Sequence, residues 1–141
     1  HNYLNLIMAG MAMPESTDYP ILLDHNGNLA EGLGANIFLV RDGICLTPRE
    51  QFVLPGVSRQ VVFDLCASQG IPVEQRDLDF HDAANADEMF LTSTSMCVAP
   101  VCSFNGTPVG DGPCGPLTRR LMDGYVDLVQ FDWVEQYLAH L

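Results

Sequence analysis

The chain has 141 residues, of which 48% are apolar and 17% charged, a balance that suits one globular domain with a sizeable core and excludes a disordered or fibrous chain. Its formal net charge is −12, and its six basic residues are all arginine, so it lacks the positive surface that binding to nucleic acid or an anionic membrane requires. No apolar run approaches the roughly 20 residues of a bilayer span. The longest early run, Leu6 to Ala12, is interrupted by Gly10 and has no basic flank, so it does not read as a secretory signal.

Taken in chain order, Leu4, Ile7, Met8 and Met11 recur at helical spacing and predict a helix from Asn2 to about Met13, stopped ahead of Pro14. Tyr19 to Asp24 reads as a strand, His25-Asn26-Gly27-Asn28 as a turn, and Leu29 to Glu31 as the start of a returning strand. Ile37–Val40 and Ile44–Thr47 are short apolar strands joined by Arg41-Asp42-Gly43. After loop 48–56, Ser58 precedes Val61, Val62, Leu65 and Cys66 at helical spacing, and Gly70 ends that helix.

Pro72 to Leu78 predicts a strand, 81–86 a short helix, and Asp87 to Thr92 another strand. Val98–Phe104 and Thr107–Val109 flank Asn105-Gly106 as a hairpin. A Gly- and Pro-rich loop, Gly110 to Pro116, leads into a helix with Leu117, Leu121, Tyr125 and Leu128 on one stripe, and the last ten residues form a further short helix. Hairpins and helices without a linker or repeat imply one mixed α+β domain over 1–141, with antiparallel pairing prominent.

Five cysteines form no C-x-x-C pair, which predicts reduced, mostly buried thiols in a cytoplasmic protein. The four histidines show no metal-ligand spacing. Because the first residue is His1 and not Met, the chain is expected to be a piece of something longer.

Several short motifs carry chemistry. Gly32-Leu33-Gly34-Ala35-Asn36 resembles the opening of a dinucleotide fingerprint, but a strand and a turn follow it where that site needs a helix. Ser58 is followed by Arg59-Gln60, so it is no nucleophile elbow. In Leu54-Pro55-Gly56-Val57-Ser58-Arg59, a glycine ahead of a helix leaves the N–H groups of Val57 and Ser58 available to an anion; the plainer reading makes Ser58 only an N-cap. Thr92-Ser93-Thr94-Ser95 is a run of hydroxyls after an apolar strand, equally suited to an anion or to a polar loop. Glu31, in a glycine-flanked stretch between two strands, is either solvated or partly buried opposite a cation, and the residues alone favour the solvated reading.

In order, Asn2-Tyr3-Leu4-Asn5, Ala30 to Phe38, Leu54 to Arg59, Asp87 to Thr94 and Gly115 to Arg120 resemble the large domain of the class IV, fold type IV aminotransferases. That resemblance covers nearly the whole chain. It implies a largely antiparallel sheet or pseudo-barrel with flanking helices, and pyridoxal 5'-phosphate as cofactor. Carried over by position, Glu31 resembles the carboxylate on the cofactor's ring nitrogen, Tyr3 the phenol at its 3'-oxygen, and Leu54 the apolar residue on the ring face. Gly56, Val57, Ser58 and Thr94 resemble the phosphate cup, and Thr94 and Ser95 also face the substrate carboxylate. Asn36 matches a polar residue beside the cofactor.

The family's Schiff-base lysine would lie just upstream of His1, and this chain has no lysine, so alone it is expected to be inactive. The family also implies a homodimer acting on an amino acid and a 2-oxo acid. Gly110-Asp111-Gly112 followed by Gly115 to Arg120 most resembles the branched-chain group, while Cys97 stands where many of its members carry glutamate. D-amino acid, (R)-amine and lyase members stay open, as does a non-catalytic ligand-binding module.

Overall fold

The computed structural model describes residues 3–13 and 17–140. Helix α1 (Tyr3–Met11) precedes strands β1 (Ile21–Leu23), β2 (Leu29–Gly32), β3 (Ala35–Arg41) and β4 (Ile44–Thr47). Helix α2 (Val57–Gln69), strand β5 (Val73–Gln75), helix α3 (Phe80–Ala84) and strands β6 (Glu88–Ser93) and β7 (Cys97–Pro100) follow. The chain closes with hairpin β8 (Ser103–Phe104) and β9 (Thr107–Pro108), then helices α4 (Pro116–Val129) and α5 (Trp133–Leu138).

Strand β3 organises the sheet. Its first residues pair antiparallel with β2 and its last with β4, while its other edge pairs with β6 over Asn36–Val40. Among the described residues only β4 and β5 run parallel, because α2 connects them as a crossover. Alternation along β3 sends Phe38 and Val40 to one core, with Phe90, Val62, Leu65, Leu121 and Trp133. Ile37 and Leu39 go to a second core with Leu46, Met89, Leu91 and Leu78. Both faces are thus covered, which is why β3 and β6 read as near-continuous apolar runs. Phe38 stacks on Phe90 with ring centroids 4.9 Å apart.

The expected pseudo-barrel is not closed among the described residues. β1 pairs only with β2 and β7 only with β6, so the seven-stranded sheet stays open. A cleft of about 760 Å³ lies between these two edges, lined by Ile21 and Leu23 from one and Ala99 and Pro100 from the other. The strand expected over Val98–Phe104 is two strands, β7 and β8: the Val101 N–H still bonds the Met89 carbonyl at 2.8 Å, and the chain then leaves β6 to pair with β9 instead. Leu128 is 58% exposed, so the buried stripe of α4 stops at Tyr125, where Trp133 packs edge-on at 5.3 Å. Of the five free thiols, expected to be mostly buried, only Cys45 and Cys66 are; Cys102 is exposed and the other two are intermediate. No helix among the described residues is long and apolar enough to cross a membrane.

Candidate functional site

The register between β1 and β2 slips by one residue between the pairs Ile21↔Gly32 and Leu23↔Leu29. Such a bulge re-aims the side chains that follow it. Leu29 therefore belongs to the core with Ile37, whereas Glu31 lies directly opposite Asn36 on the other face. Asn36 in turn lies opposite Thr92 of β6. Glu31, Asn36 and Thr92 form one cross-strand row at the end of the sheet, all buried. The solvated reading of Glu31 fails because this bulge turns it inward.

Glu31 and Asn36 hold Leu54 between them. The Leu54 N–H donates to Glu31 Oε2 at 2.7 Å, and Asn36 Nδ2 donates to the Leu54 carbonyl at 2.9 Å. Leu54 leaves its side chain 57% exposed. Two residues on, Gly56 is the N-cap of α2, in extended conformation and without a side-chain cap. A Cβ at Gly56 would stand 2.4 Å from Asn36 Oδ1, so glycine lets the helix start touch the row. Ser58 is not the N-cap expected as the plain alternative; it is buried inside the first turn, because the helix begins at Val57. Val57 itself is 74% exposed.

The neighbouring Arg59 points the other way. Its Nη2 donates to the Pro48 carbonyl at 2.8 Å and to Gln75 Oε1, and its Nη1 pairs with Glu50 at 3.1 Å. Burial lowers its pKa while Glu50 opposes that shift. This side chain ties loop 48–50 to β5 and the helix.

The hydroxyl run divides in two. Thr92 and Ser93 belong to β6 and are buried, and only Thr94 and Ser95 lie in the exposed turn that follows. Ser93 Oγ accepts from the Met96 N–H at 3.1 Å and lies 3.1 Å from Ser95 Oγ. From outside, the Tyr137 hydroxyl donates to the Ser95 carbonyl at 3.1 Å. Thr92 Oγ1 is buried without a hydrogen-bond partner. Tyr3 opens α1, but its side chain lies outside the described residues. The large cleft lies on the opposite face, lined by Ile37, Met89 and Leu91, and reaches the turn only at Met96.

The family model for class IV amino-transferases matches residues 1–104. The chain belongs to the class IV aminotransferase family. As a class IV chain it is 34% identical to the branched-chain-amino-acid aminotransferase of Escherichia coli K12, over 96% of its own length and 46% of that protein. The Pseudomonas aeruginosa enzyme of the same name is 34% identical over 90% of this chain and 42% of its own. The structure of the E. coli enzyme matches with a TM-score of 0.85 at 36% identity, covering 90% of this chain and 44% of that one. That of a T.th. branched-chain amino acid aminotransferase complexed with N-(5'-phosphopyridoxyl)-L-glutamate matches with a TM-score of 0.86 at 33% identity, over 95% and 45%. The chain thus spans a little under half the length of these relatives.

Within this class IV chain, Glu31, Asn36, Leu54 and Gly56 lie together. The Thr94–Ser95 turn follows two residues beyond the same row. Thr92 stood in the motifs without a role, although it is two residues before Thr94 on a strand of period 2. Tyr137 escaped them, because a contact across 42 residues leaves no local pattern.

Proposed function

We propose that the full-length protein is a pyridoxal 5'-phosphate-dependent aminotransferase of the branched-chain type, and that this chain supplies its cofactor-binding domain. The observation that carries the reading is the double hold of Glu31 and Asn36 on Leu54, immediately ahead of the α2 N-terminus.

The residues fit such a cofactor. A flat ring needs an apolar face, and Leu54 offers an exposed one. A phosphate needs converging N–H donors, and the first turn of α2 leaves those of Val57, Ser58 and Arg59 without intrahelical partners, at the positive end of the helix dipole. These donors act locally, so the net charge of −12 is no obstacle.

When bound, the cofactor supplies an electron-accepting ring through which an amino group passes from an amino acid to a 2-oxo acid. Glu31 would hold the proton on the ring nitrogen by presenting a negative charge to it. Its bond to the Leu54 N–H fixes that carboxylate and the packing residue together. Asn36 keeps Leu54 in place from the other side. Val57 and Ser58 would anchor the phosphate, with Thr94 at its edge, and Thr94 and Ser95 would orient the substrate carboxylate. Tyr3 would contact the cofactor's 3'-oxygen.

The relatives' names support the branched-chain substrate class. The free thiols suit a reducing cytoplasm, and a homodimer would cover the exposed apolar side chains of α1, Leu4, Met8 and Met11.

Adding pyridoxal 5'-phosphate to the full-length protein should give a visible absorption band, and the holoenzyme should transfer an amino group from L-leucine faster than from D-alanine, an (R)-amine or aminodeoxychorismate. A full-length protein that takes up no cofactor would refute the reading. Uptake with a preference for D-alanine would overturn only the substrate class.

A further inference from the structure

We infer that Tyr137 is a positioning residue for the substrate carboxylate. It acts by fixing the turn that carries Thr94 and Ser95, and the inference rests on the site reading given above. The turn begins at the buried end of β6 and projects from the sheet, with Thr94 and Ser95 exposed. Inside it, Ser93 Oγ takes the Met96 N–H at 3.1 Å. That bond holds the N–H side of the Ser95–Met96 peptide. Tyr137 holds the other side from outside, donating to the Ser95 carbonyl at 3.1 Å. A carbonyl and the next N–H share one rigid peptide plane. The two bonds clamp the Ser95–Met96 peptide from both sides, and the one from Tyr137 adds the outer restraint on the rotation of Ser95.

The anchor behind Tyr137 is firm. α5 is a short helix, started by Asp132, whose carboxylate accepts from the Glu135 N–H at 2.9 Å. Trp133, one turn before Tyr137, is 7% exposed and packs edge-on against Tyr125 of α4. Residues four apart share a helix face, so burying Trp133 against α4 carries Tyr137 toward the sheet end. Tyr137 is itself 57% exposed, so little core packing depends on it. Its hydroxyl is the part with a directed contact, and α5 serves as a strut between α4 and the turn.

The test uses the full-length holoenzyme, with 4-methylvalerate as a carboxylate probe, since the T.th. enzyme has been solved with 4-methylvaleric acid. Tyr137→Phe keeps the ring and removes only the hydroxyl. It should raise both the KM for L-leucine and the inhibition constant of 4-methylvalerate roughly fivefold, the effect of one neutral hydrogen bond. kcat, the affinity for pyridoxal 5'-phosphate and the melting temperature should stay near those of the parent. Tyr137→Leu, which also removes the ring, should match Tyr137→Phe in both constants.

Unchanged constants in Tyr137→Phe, or a loss seen only with the leucine variant, overturn the inference while transamination by the parent leaves the assignment of function standing. Weakening of cofactor and probe together also overturns it, because the change is then a general loosening of the fold. A parent protein that takes up no cofactor sinks the assignment and this inference with it.

Discussion

Two helices in this molecule start alike and are used differently. α2 follows Gly56 (φ −68, ψ 146) and α4 follows Gly115 (φ −72, ψ 163), both extended glycines without side-chain caps of their own. At α4, Glu88 of β6 reaches across and accepts from the N–H groups of Leu117 and Thr118 at 2.9 and 2.7 Å. The fit is tight: a Cβ at Gly115 would stand 2.1 Å from Glu88 Cδ. At α2 the strand facing the helix start offers Asn36, whose amide is turned to the Leu54 carbonyl, and no carboxylate among the described residues meets the first-turn N–H groups. One helix start is filled from within the protein. The other has no such partner among the described residues, so the residue on the facing strand, rather than the helix, decides which start is filled.

The largest effect should come from emptying the filled end. Glu88→Ala leaves two buried N–H groups unpaired, and denaturant unfolding should show a loss of about 2–4 kcal/mol. Retained stability would mean that the carboxylate at α4 is incidental. A smaller change should come from filling the open end. Asn36→Asp places a negative charge beside Gly56 and removes the donor to the Leu54 carbonyl. The full-length protein should then bind pyridoxal 5'-phosphate at least about tenfold more weakly, as like charges repel in a partly buried site. Titration of cofactor against the variant and its parent checks this, and equal affinities would place the phosphate elsewhere.

A third helix start gives the mildest test. α3 is capped within its own turn: Asp79 accepts from the Asp82 N–H, and Asp82 accepts from the Asp79 N–H. Arg76 then binds Asp82 through both nitrogens, at 3.1 and 2.8 Å. The Arg76 hydrogen bonds hold the Asp82 carboxyl below its ordinary value of 3.8. With its folded pKa depressed, Asp82 adds stability above that ordinary value and loses it as pH falls through the lower folded value. Unfolding measured downward from about pH 5 should therefore show a slope that flattens slightly in Asp82→Asn. An identical slope would remove this pair from the account.

How much of this was legible in the sequence varied with distance along the chain. The apolar runs of β3 and β6 and the Asp42-Gly43 turn were readable because period and turn chemistry are local. The site motifs were legible as residues, but their arrangement was not. Glu31 looked solvated because the bulge between β1 and β2 leaves no mark in composition. Ser93 looked like loop because hydroxyls at a strand end resemble a turn, and only its pairing with Cys97 draws it into the sheet.

By itself the sequence determined the order of the elements, the family and which side chains could do chemistry, because these depend on residues within a few positions of each other. Tertiary structure decided which of them meet. Leu54 finds Glu31 across 23 residues, Glu88 finds Leu117 across 29, and Tyr137 finds Ser95 across 42. No local periodicity encodes such pairings; they follow from the register of the sheet, one bulge in it and the packing of helices across its face.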